Sequence, residues 1–420
     1  MSAHSARTID VVVVQYAENA AALRAGRTGM VRSRRTGLLH LSRHDERLEA
    51  NLDGLAVAGH AGARVSLAAL ERPEVGEAFV AAFCAIRHGD RAATSRLLSL
   101  AETLPEAFRG ISSLLGWLSA QQLRALIPEW LGQPGVMART LAIGACAAHR
   151  VDPGTSLVTA VEASEADLAR KALQAAGEIG RIDLLPQLLA RLQDADEVTN
   201  WHAARAALLL GDRDRALSRL RALALQPGPR QRSALCLAVL ASSIVDARQL
   251  MRTLGQQDAP GRLQVEAAGW TGDPAAVPWL LRQMDDDILS RAAGEAFGMI
   301  TGADLSSLDL DRKSAEPASD GPDGDADAED IEQNPDGELL WPDAEKVRSW
   351  WGAHSHRFTH GCRAFVGAPP APTHLIEVLK GGSQFQRAAA AAALVLDCPG
   401  RPLFNIAAPA GRQKALLAAT

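Results

Sequence analysis

The stretch ARKALQAAGEIG, residues 169–180, decides the fold because it is one copy of a pattern that recurs along the chain. Similar stretches are WHAARAALLLGD (201–212), QVEAAGWTGD (264–273) and SRAAGEAFGMITG (290–302). Alanine is the best helix former, and a glycine just past a helix adopts the left-handed conformation that ends it. Each stretch therefore predicts a short helix that ends at its glycine.

Related stretches extend the pattern towards both ends of the chain. The residues at which the predicted helices end, here called the anchors, are Gly89, Leu118, His149, Gly180, Gly211, Ser242, Gly272 and Gly302. Successive anchors lie 29 to 31 residues apart, a period typical of helical repeats. Amphipathic segments such as 183–192 and 275–284 follow the anchors and predict a second helix in each repeat. The pattern resembles HEAT-type repeats and predicts an all-α protein, a HEAT-like α-solenoid of about eight helical hairpins.

The N-terminal part, residues 1–74, is predicted to be a helical cap for this array. Its first helix is expected over 9–23, with a strand at 11–14 as the weaker alternative, and its second helix after Ser42 as N-cap. The repeat array itself is expected over 75–308. Terminal repeats need such a cap because one side of them would otherwise expose apolar surface.

The segment 309–338 interrupts the pattern. It holds twelve acidic residues against Arg312 and Lys313 and is predicted to be an acidic disordered linker or loop. The tail module, 339–420, then continues with an extended stretch at 361–367 and last repeat helices at 372–379 and 384–396. We therefore expect the acidic segment to interrupt the array and not to end it.

Composition excludes several classes of protein. The chain of 420 residues has a formal net charge of −5, which argues against a general nucleic-acid binder. It has no apolar run long enough for a transmembrane helix and no secretory signal pattern, so we expect a cytoplasmic protein without membrane insertion. Its five cysteines are far apart, which excludes a disulfide scaffold or a cysteine zinc site. No catalytic motif is present, and we expect neither enzyme activity nor a cofactor.

A basic stretch lies between residues 23 and 43. It contains no acidic residue and six arginines, which are Arg24, Arg27, Arg32, Arg34, Arg35 and Arg43. Three interpretations stay open: a solvated loop, a site that docks a partner or the acidic segment, and a nucleic-acid site. Interleaved aromatic side chains that would stack on bases are absent.

The tail contains metal-binding residue types in close order. They are His354, His356, His360 and Cys362, and they would form a zinc site if they converged in tetrahedral geometry. The alternative is a compact module in which Trp350, Trp351, Phe358 and Phe365 pack together and the histidines lie at the surface. We favour the alternative and predict no metal.

Three blocks give a closer resemblance. They are residues 44–59, residues 76–90, and the tail motif RF-x2-GCRAFVGAPP with FQRAAAAAALVL. Together they resemble an uncharacterised bacterial HEAT-repeat family often encoded beside type VI secretion genes. The resemblance implies a cytoplasmic accessory protein with no established activity, and Arg357, Phe358, Gly361 and Arg363 as its signature.

The sequence thus predicts a non-catalytic protein-binding solenoid, an adaptor, chaperone or immunity-like factor whose partner is a secreted effector or a secretion component. The residues expected to bind the partner are Arg24, Arg27, Arg32, Arg34, Arg35, Trp350, Trp351, Arg357, Phe358 and Arg363. Two alternatives stay open: an enzyme or metal-binding protein with its site between His354 and Cys362, and nucleic-acid binding through Arg24–Arg43.

Overall fold

The computed structural model describes residues 9–256, 261–312 and 336–419. Within them the fold is all-α, with isolated bridges as its only β-type pairing. The α-helices are α1 (Asp10–Arg32), α2 (Leu38–Ala58), α3 (His60–Ala68), α4 (Val75–His88), α5 (Arg91–Thr103), α6 (Pro105–Trp117), α7 (Ala120–Leu123), α8 (Leu126–Leu131), α9 (Val136–His149), α10 (Thr155–Val161), α11 (Ala166–Ile179), α12 (Leu185–Ala190), α13 (Glu197–Leu209), α14 (Arg215–Ala224), α15 (Gln231–Ala241), α16 (Ile244–Gly255), α17 (Gly261–Thr271), α18 (Val277–Gln283), α19 (Ser290–Thr301), α20 (Ala344–His354), α21 (Pro372–Gly381), α22 (Gln384–Asp397) and α23 (Ala410–Ala418).

The anchors predicted from the sequence coincide with helix ends. The helices α4, α6, α9, α11, α13, α15, α17 and α19, here called the first helices, each end within two residues of an anchor. The predicted glycine mechanism is confirmed at Gly89, Gly180 and Gly302, which take the left-handed conformation just past α4, α11 and α19. Arg150 takes the same conformation after α9, so a residue other than glycine ends that helix.

The N-terminal region departs from the sequence prediction. The strand alternative at 11–14 is wrong, since α1 is helical from Asp10 and continues nine residues beyond Leu23 to Arg32. Ser42 is not an N-cap, because α2 already begins at Leu38 after Gly37 and the Ser42 hydroxyl donates a hydrogen bond to Glu46 inside the helix. In the tail, the predicted helices at 372–379 and 384–396 are confirmed as α21 and α22.

The described chain divides into two compact units. Unit 1 comprises the described residues of 1–32, 36–211 and 398–420, and unit 2 those of 33–35 and 212–397. This division cuts across the four segments expected from the sequence, since the tail module 339–420 contributes to both units. Most of the acidic segment, residues 313–335, lies outside the described residues. No helix of the described chain is both long and apolar enough to cross a membrane.

In unit 1 the first helices pack side by side in the order α4, α6, α9, α11 and α13. Helix α5 packs on α4, α6 and α9, while α8, α10 and α12 pack on α9, α11 and α13 in turn. Small residues allow close approach. A side chain added at Gly177 of α11 would lie 2.7 Å from the Cα of Ala206 in α13. Helices α1, α2 and α3 all contact α4, and α23 contacts α2. An apolar core containing Leu48, Phe79 and Leu114 holds this end of the unit together.

In unit 2 the first helices α15, α17 and α19 pack in sequence, and α14, α16 and α18 support them. Gly269 of α17 faces Ala296 of α19 as Gly177 faces Ala206 in unit 1. Helix α20 contacts α18, and α22 contacts α15. The core of this unit contains Val265, Leu280 and Phe297.

The tail covers the C-terminal ends of first helices in both units. In unit 2 the segment 363–367 donates backbone hydrogen bonds from Ala364 to the Gly272 carbonyl and from Val366 to the Met299 carbonyl, at 2.8 and 2.7 Å. In unit 1 the segment 398–409 contacts Gly180 and Gly211 and donates a hydrogen bond from Leu403 N to the Glu178 carbonyl. The last carbonyls of a helix lack partners within the helix, so these extended segments satisfy groups that would otherwise need water.

Candidate binding surfaces

Three of the predicted arginines are held inside the fold. Arg24 of α1 donates to the Ser113 hydroxyl at 2.5 Å. Burial lowers the pKa of Arg24 to about 10, with the charge of Arg27 as the second cause. Arg27 is buried, pairs with Asp45 of α2 at 2.7 Å and donates to the carbonyls of Ala407 and Ala408. Arg24 and Arg27 therefore lie on a helix and make internal contacts, so the interpretation as a solvated loop is wrong for them.

Arg34 belongs to unit 2. Its guanidinium pairs with Glu266 of α17 at 2.6 Å and with Glu295 of α19, and it lies 4.8 Å from the ring centre of Phe385. The backbone N–H of Arg34 donates to Glu338, the last residue of the segment predicted to be acidic linker. Of the three open interpretations of the basic stretch, docking on the acidic segment agrees with this one contact between Arg34 and Glu338.

The other three arginines of the stretch, Arg32, Arg35 and Arg43, are exposed. They do not form one basic surface with Arg24, Arg27 and Arg34, whose charged groups make internal contacts. A partner-binding or nucleic-acid-binding role for the exposed three stays a prediction.

The tail aromatic residues pack together. Trp350 and Trp351 of α20 meet the ring of Phe297 edge-on, with ring centres 5.6 and 6.3 Å apart, and Phe358 lies against Trp351. Phe365 is buried. The packing of Trp350, Trp351 and Phe358 agrees with the compact module that the sequence offered as the alternative to a metal site. The place of Phe365 in that module and partner binding by these rings stay predictions.

The four candidate metal ligands do not converge. His354 stacks on Trp350 and its Nδ1 lies 2.7 Å from the Trp350 carbonyl oxygen, while His356, His360 and Cys362 are exposed. In the described part of the chain, no group of three or more histidine, cysteine, aspartate or glutamate side chains is arranged to hold a metal ion. Spacing in the sequence alone is therefore not enough to bring these four side chains together.

Arg363, expected to bind a partner, has an internal role. Its guanidinium donates to the carbonyls of Val239, Leu240 and Ser242 at 2.5 to 3.0 Å, which are the last carbonyls of α15 and its cap. Arg412 does the same in unit 1 at the end of α6, where it donates to Gly116, Trp117 and Leu118. A cation at a helix C-terminus is favoured by the helix dipole. Arg357, by contrast, is exposed.

A polar cluster that the sequence analysis missed lies on α11 and α13 of unit 1; we call it the unit 1 strip. Glu178 is its only carboxylate, bound by Arg150 at 2.9 Å, by Arg205 at 3.3 Å and by the amide of Gln174 at 3.0 Å. Lys171 donates to the Gln174 carbonyl oxygen at 3.1 Å. Gln174 and Arg205 both lie six residues before an anchor. Aligning the predicted helices at their anchors would therefore have placed these two polar residues at the same position.

The charges of the unit 1 strip do not balance. Burial raises the pKa of Glu178, but Arg205 and Arg150 outweigh it and hold that pKa below its ordinary value. Burial lowers the pKa of the Lys171 ammonium; Glu178 raises it, and Arg205 lowers it again. No carboxylate of the described residues lies within ion-pair distance of Lys171. The strip therefore has three cations and one carboxylate, which pairs with Arg150 and Arg205.

The corresponding cluster in unit 2, the unit 2 strip, is centred on a carboxylate that several arginines bind. Glu266 lies six residues before the anchor Gly272, and its side chain, 2% exposed, is bound by Arg34, Arg232 and Arg262. Burial raises the pKa of Glu266, but Arg232 and Arg34 lower it below the ordinary value. Burial raises the pKa of Glu295 to about 7, with Arg34 opposing the shift and Glu266 adding to it.

Unit 2 also has an open depression of about 300 Å³ between α16, α17 and the turn before α18. Met251 and Trp279 give it an apolar wall, and Arg248 on its rim is neutralised by Asp273. Ligand sites are usually enclosed and bury most of their ligand. Because the depression is open, we regard the unit 1 strip as the stronger candidate.

No family model, curated protein or solved structure matches the chain. Function must therefore be argued from the geometry of the two strips.

Proposed function

We propose that the chain is a non-catalytic protein-binding α-solenoid of about eight HEAT-like hairpins. On this proposal it is a cytoplasmic accessory protein, an adaptor, chaperone or immunity-like factor, associated with type VI secretion. The support for the repeat architecture is the coincidence of the anchors with the ends of the first helices. The support for the biological setting is the sequence resemblance of residues 44–59, 76–90 and the tail.

The observation that carries the binding function is the unit 1 strip. Packed repeat helices present side chains from equivalent positions on neighbouring helices, and repeat proteins use such surfaces to bind extended partners. Gln174 and Arg205 occupy equivalent positions on α11 and α13, six residues before their anchors. Lys171, three residues before Gln174, has no carboxylate of the described residues within ion-pair distance. A lysine without a carboxylate partner adds little to the stability of the fold, but its charge can bind an anionic group of another protein.

The test is affinity purification of the tagged chain from its native host, followed by reconstitution with the purified partner. We expect one partner in stoichiometric amount, and we expect the double variant Lys171→Ala, Arg205→Ala to lose it. Arg91→Ala is the matched control, because Arg91 is exposed on α5 of the same unit and away from the strip. Absence of a stoichiometric partner, or equal retention by the strip variant and the control, would contradict the proposal.

A further inference from the structure

The unit 1 strip contains a half-buried ammonium group that the described chain leaves without an anion. Lys171 donates one hydrogen bond, to the neutral amide of Gln174, and that amide also serves Glu178. Beside it, Arg205 shares the single carboxylate of Glu178 with Arg150. Arg150 is in addition fixed by the carbonyls of Ala147 and Leu403. Lys171 and Arg205 are therefore the two cations of the strip that no backbone carbonyl of the described residues binds.

Burying an ionised group is costly unless a group of opposite charge and hydrogen-bond partners accompany it. Sequences therefore seldom keep a lysine in such a place for stability alone, since a neutral side chain of similar length would pack there at lower cost. Gly144 of α9 lies against the aliphatic part of the Lys171 side chain: a Cβ added at Gly144 would lie 3.5 Å from Lys171 Cδ. The glycine therefore leaves room for this long side chain. The arrangement favours a role in holding an anion.

Unit 2 shows how a side chain from another segment can neutralise charges on two neighbouring first helices. Glu266 and Glu295 lie on neighbouring first helices and receive Arg34, which reaches them from a segment outside the first helices. In the unit 1 strip, Lys171 and Arg205 likewise lie on neighbouring first helices, with charges of the opposite sign. The complementary occupant would be a carboxylate side chain from a chain segment that the unit does not itself supply.

We infer that Lys171 and Arg205 bind a carboxylate of an acidic segment of the partner protein. The inference rests on the proposed function and names the chemistry of the partner. The anion is held by two charge-assisted hydrogen bonds, one from the ammonium of α11 and one from the guanidinium of α13. Glu178 remains the internal counter-ion that positions Arg205.

The experiment uses the full chain and a synthetic probe, an acetylated and amidated peptide of six glutamates, with a peptide of six glutamines as its neutral counterpart. In calorimetric titration at low salt we expect the glutamate peptide to bind and the glutamine peptide not to bind. Lys171→Met and Arg205→Gln should each weaken binding about tenfold or more, because a hydrogen bond to a charged group is lost. Arg91→Gln should bind as the unchanged protein does. Thermal melts of all variants check that they fold.

A second measurement reports the site directly. The chain has only five lysines, so selective labelling of lysine Cε gives few NMR signals, and Lys171→Met identifies the one from Lys171. The glutamate peptide should move that signal and raise the pKa of Lys171. If the peptide leaves the signal unchanged, or if the strip variants bind it as well as the control does, the inference fails. Binding of inorganic phosphate without binding of the peptide would also overturn it.

The outcomes separate this inference from the proposed function. If a native partner is recovered and both strip variants retain it, the chain is a binding protein but its partner does not use this carboxylate site. If the peptide binds at Lys171 while no native partner is recovered, the anion site stands and the proposed function fails.

Discussion

The two strips both place charged side chains on neighbouring first helices, but their charges balance in unit 2 and do not balance in unit 1. In unit 2, Glu266, Glu295 and Asp336 are matched by Arg34, Arg232 and Arg262 in one network. In unit 1, Glu178 faces Arg150, Lys171 and Arg205. The charges of the unit 2 strip thus balance among the described residues, whereas in the unit 1 strip Lys171 has no carboxylate of the described residues within ion-pair distance. The inferred carboxylate site rests on this difference.

The aromatic surroundings strengthen the contrast. In unit 2, Arg232 lies 5.1 Å from the ring centre of Trp270 and 5.6 Å from that of Phe385, so two cations of the strip, Arg232 and Arg34, contact aromatic rings. Such cation–π contacts stabilise a desolvated guanidinium. The Arg150, Lys171 and Arg205 side chains of unit 1 make no ring contact with the described residues. Glu178 is thus the only group of opposite charge that pairs with the cations of this strip among the described residues.

The largest effect should follow from breaking the balanced cluster. Glu266→Gln removes the carboxylate that Arg34, Arg232 and Arg262 share, and it leaves partly buried cations without their counter-ion. We expect a loss of about 3–5 kcal/mol in the unfolding free energy of unit 2, the range for removing one member of a buried ion pair. Urea denaturation followed by hydrogen exchange in residues 212–397 measures it.

The control for that change is Glu377→Gln. Glu377 is exposed on α21 of the same unit and pairs only with Lys380 among the described residues. Exposed pairs contribute between zero and about 1 kcal/mol. If Glu266→Gln costs no more than the control, the network does not stabilise unit 2 and the contrast between the strips has no energetic basis.

The second prediction separates the units by pH. Glu295 has a pKa raised from the ordinary value of 4.5 to about 7, so between these values the folded state keeps a proton that the unfolded state has lost. The unfolding free energy of unit 2 should therefore fall as pH rises from about 5 to 7, with a slope of at most about 1.4 kcal/mol per pH unit, the value for one proton. Glu295→Gln should remove this slope.

Unit 1 provides the contrast in the same titration. The pKa of Glu178 is lowered from its ordinary value of 4.5. Its contribution to the unfolding free energy of unit 1 is therefore complete above pH 4.5 and is lost only as the pH falls below that value. Glu178 should thus add no slope between pH 5 and 7, and Glu178→Gln should leave the slope of unit 1 unchanged in that range. Hydrogen exchange at several pH values reads both units in one sample. An equal slope in unchanged protein and in Glu295→Gln would show that another group titrates.

Local signals made the helix ends predictable. Glycine in the left-handed region ends a helix by its own backbone chemistry, and an aspartate such as Asp90 caps the next helix by accepting from Ala93 N. The regular spacing of the anchors followed from the same signals. These features depend on neighbours in sequence and can be read without tertiary structure.

Features that depend on distant partners could not be read in that way. Helix α1 continues through Arg24 and Arg27 because Ser113, Asp45 and the carbonyls near residue 407 satisfy these cations, and the contacts span up to 381 residues of sequence. The capping roles of Arg363 and Arg412 have the same origin. The unit 1 strip was within reach, since Gln174 and Arg205 share a repeat position, but its charge imbalance appears only when Arg150 is brought beside Glu178.

The smallest effect concerns the tail segments, which both units share. Gly89 and Gly180 both end first helices of unit 1 at positive φ, +65° and +91°, so a side chain at either position costs about 1–2 kcal/mol of backbone strain. A Cβ at Gly180 would also overlap the carbonyl oxygen of Gly400, whereas none of the described atoms lies within 4 Å of a Cβ at Gly89. Gly180→Ala should therefore lower stability by about 1 kcal/mol or more beyond Gly89→Ala, because the tail must shift or overpack.

Gly272→Ala should behave like Gly180→Ala, since its Cβ would overlap the Ala364 carbonyl oxygen in unit 2. Thermal denaturation compares the three variants, and chymotryptic cleavage after Phe404 reports release of the segment in unit 1. If all three glycine variants lose the same stability and Phe404 stays protected from cleavage, the tail segments add nothing to the helix ends they cover, and the charge of the strips is then the main difference between the units.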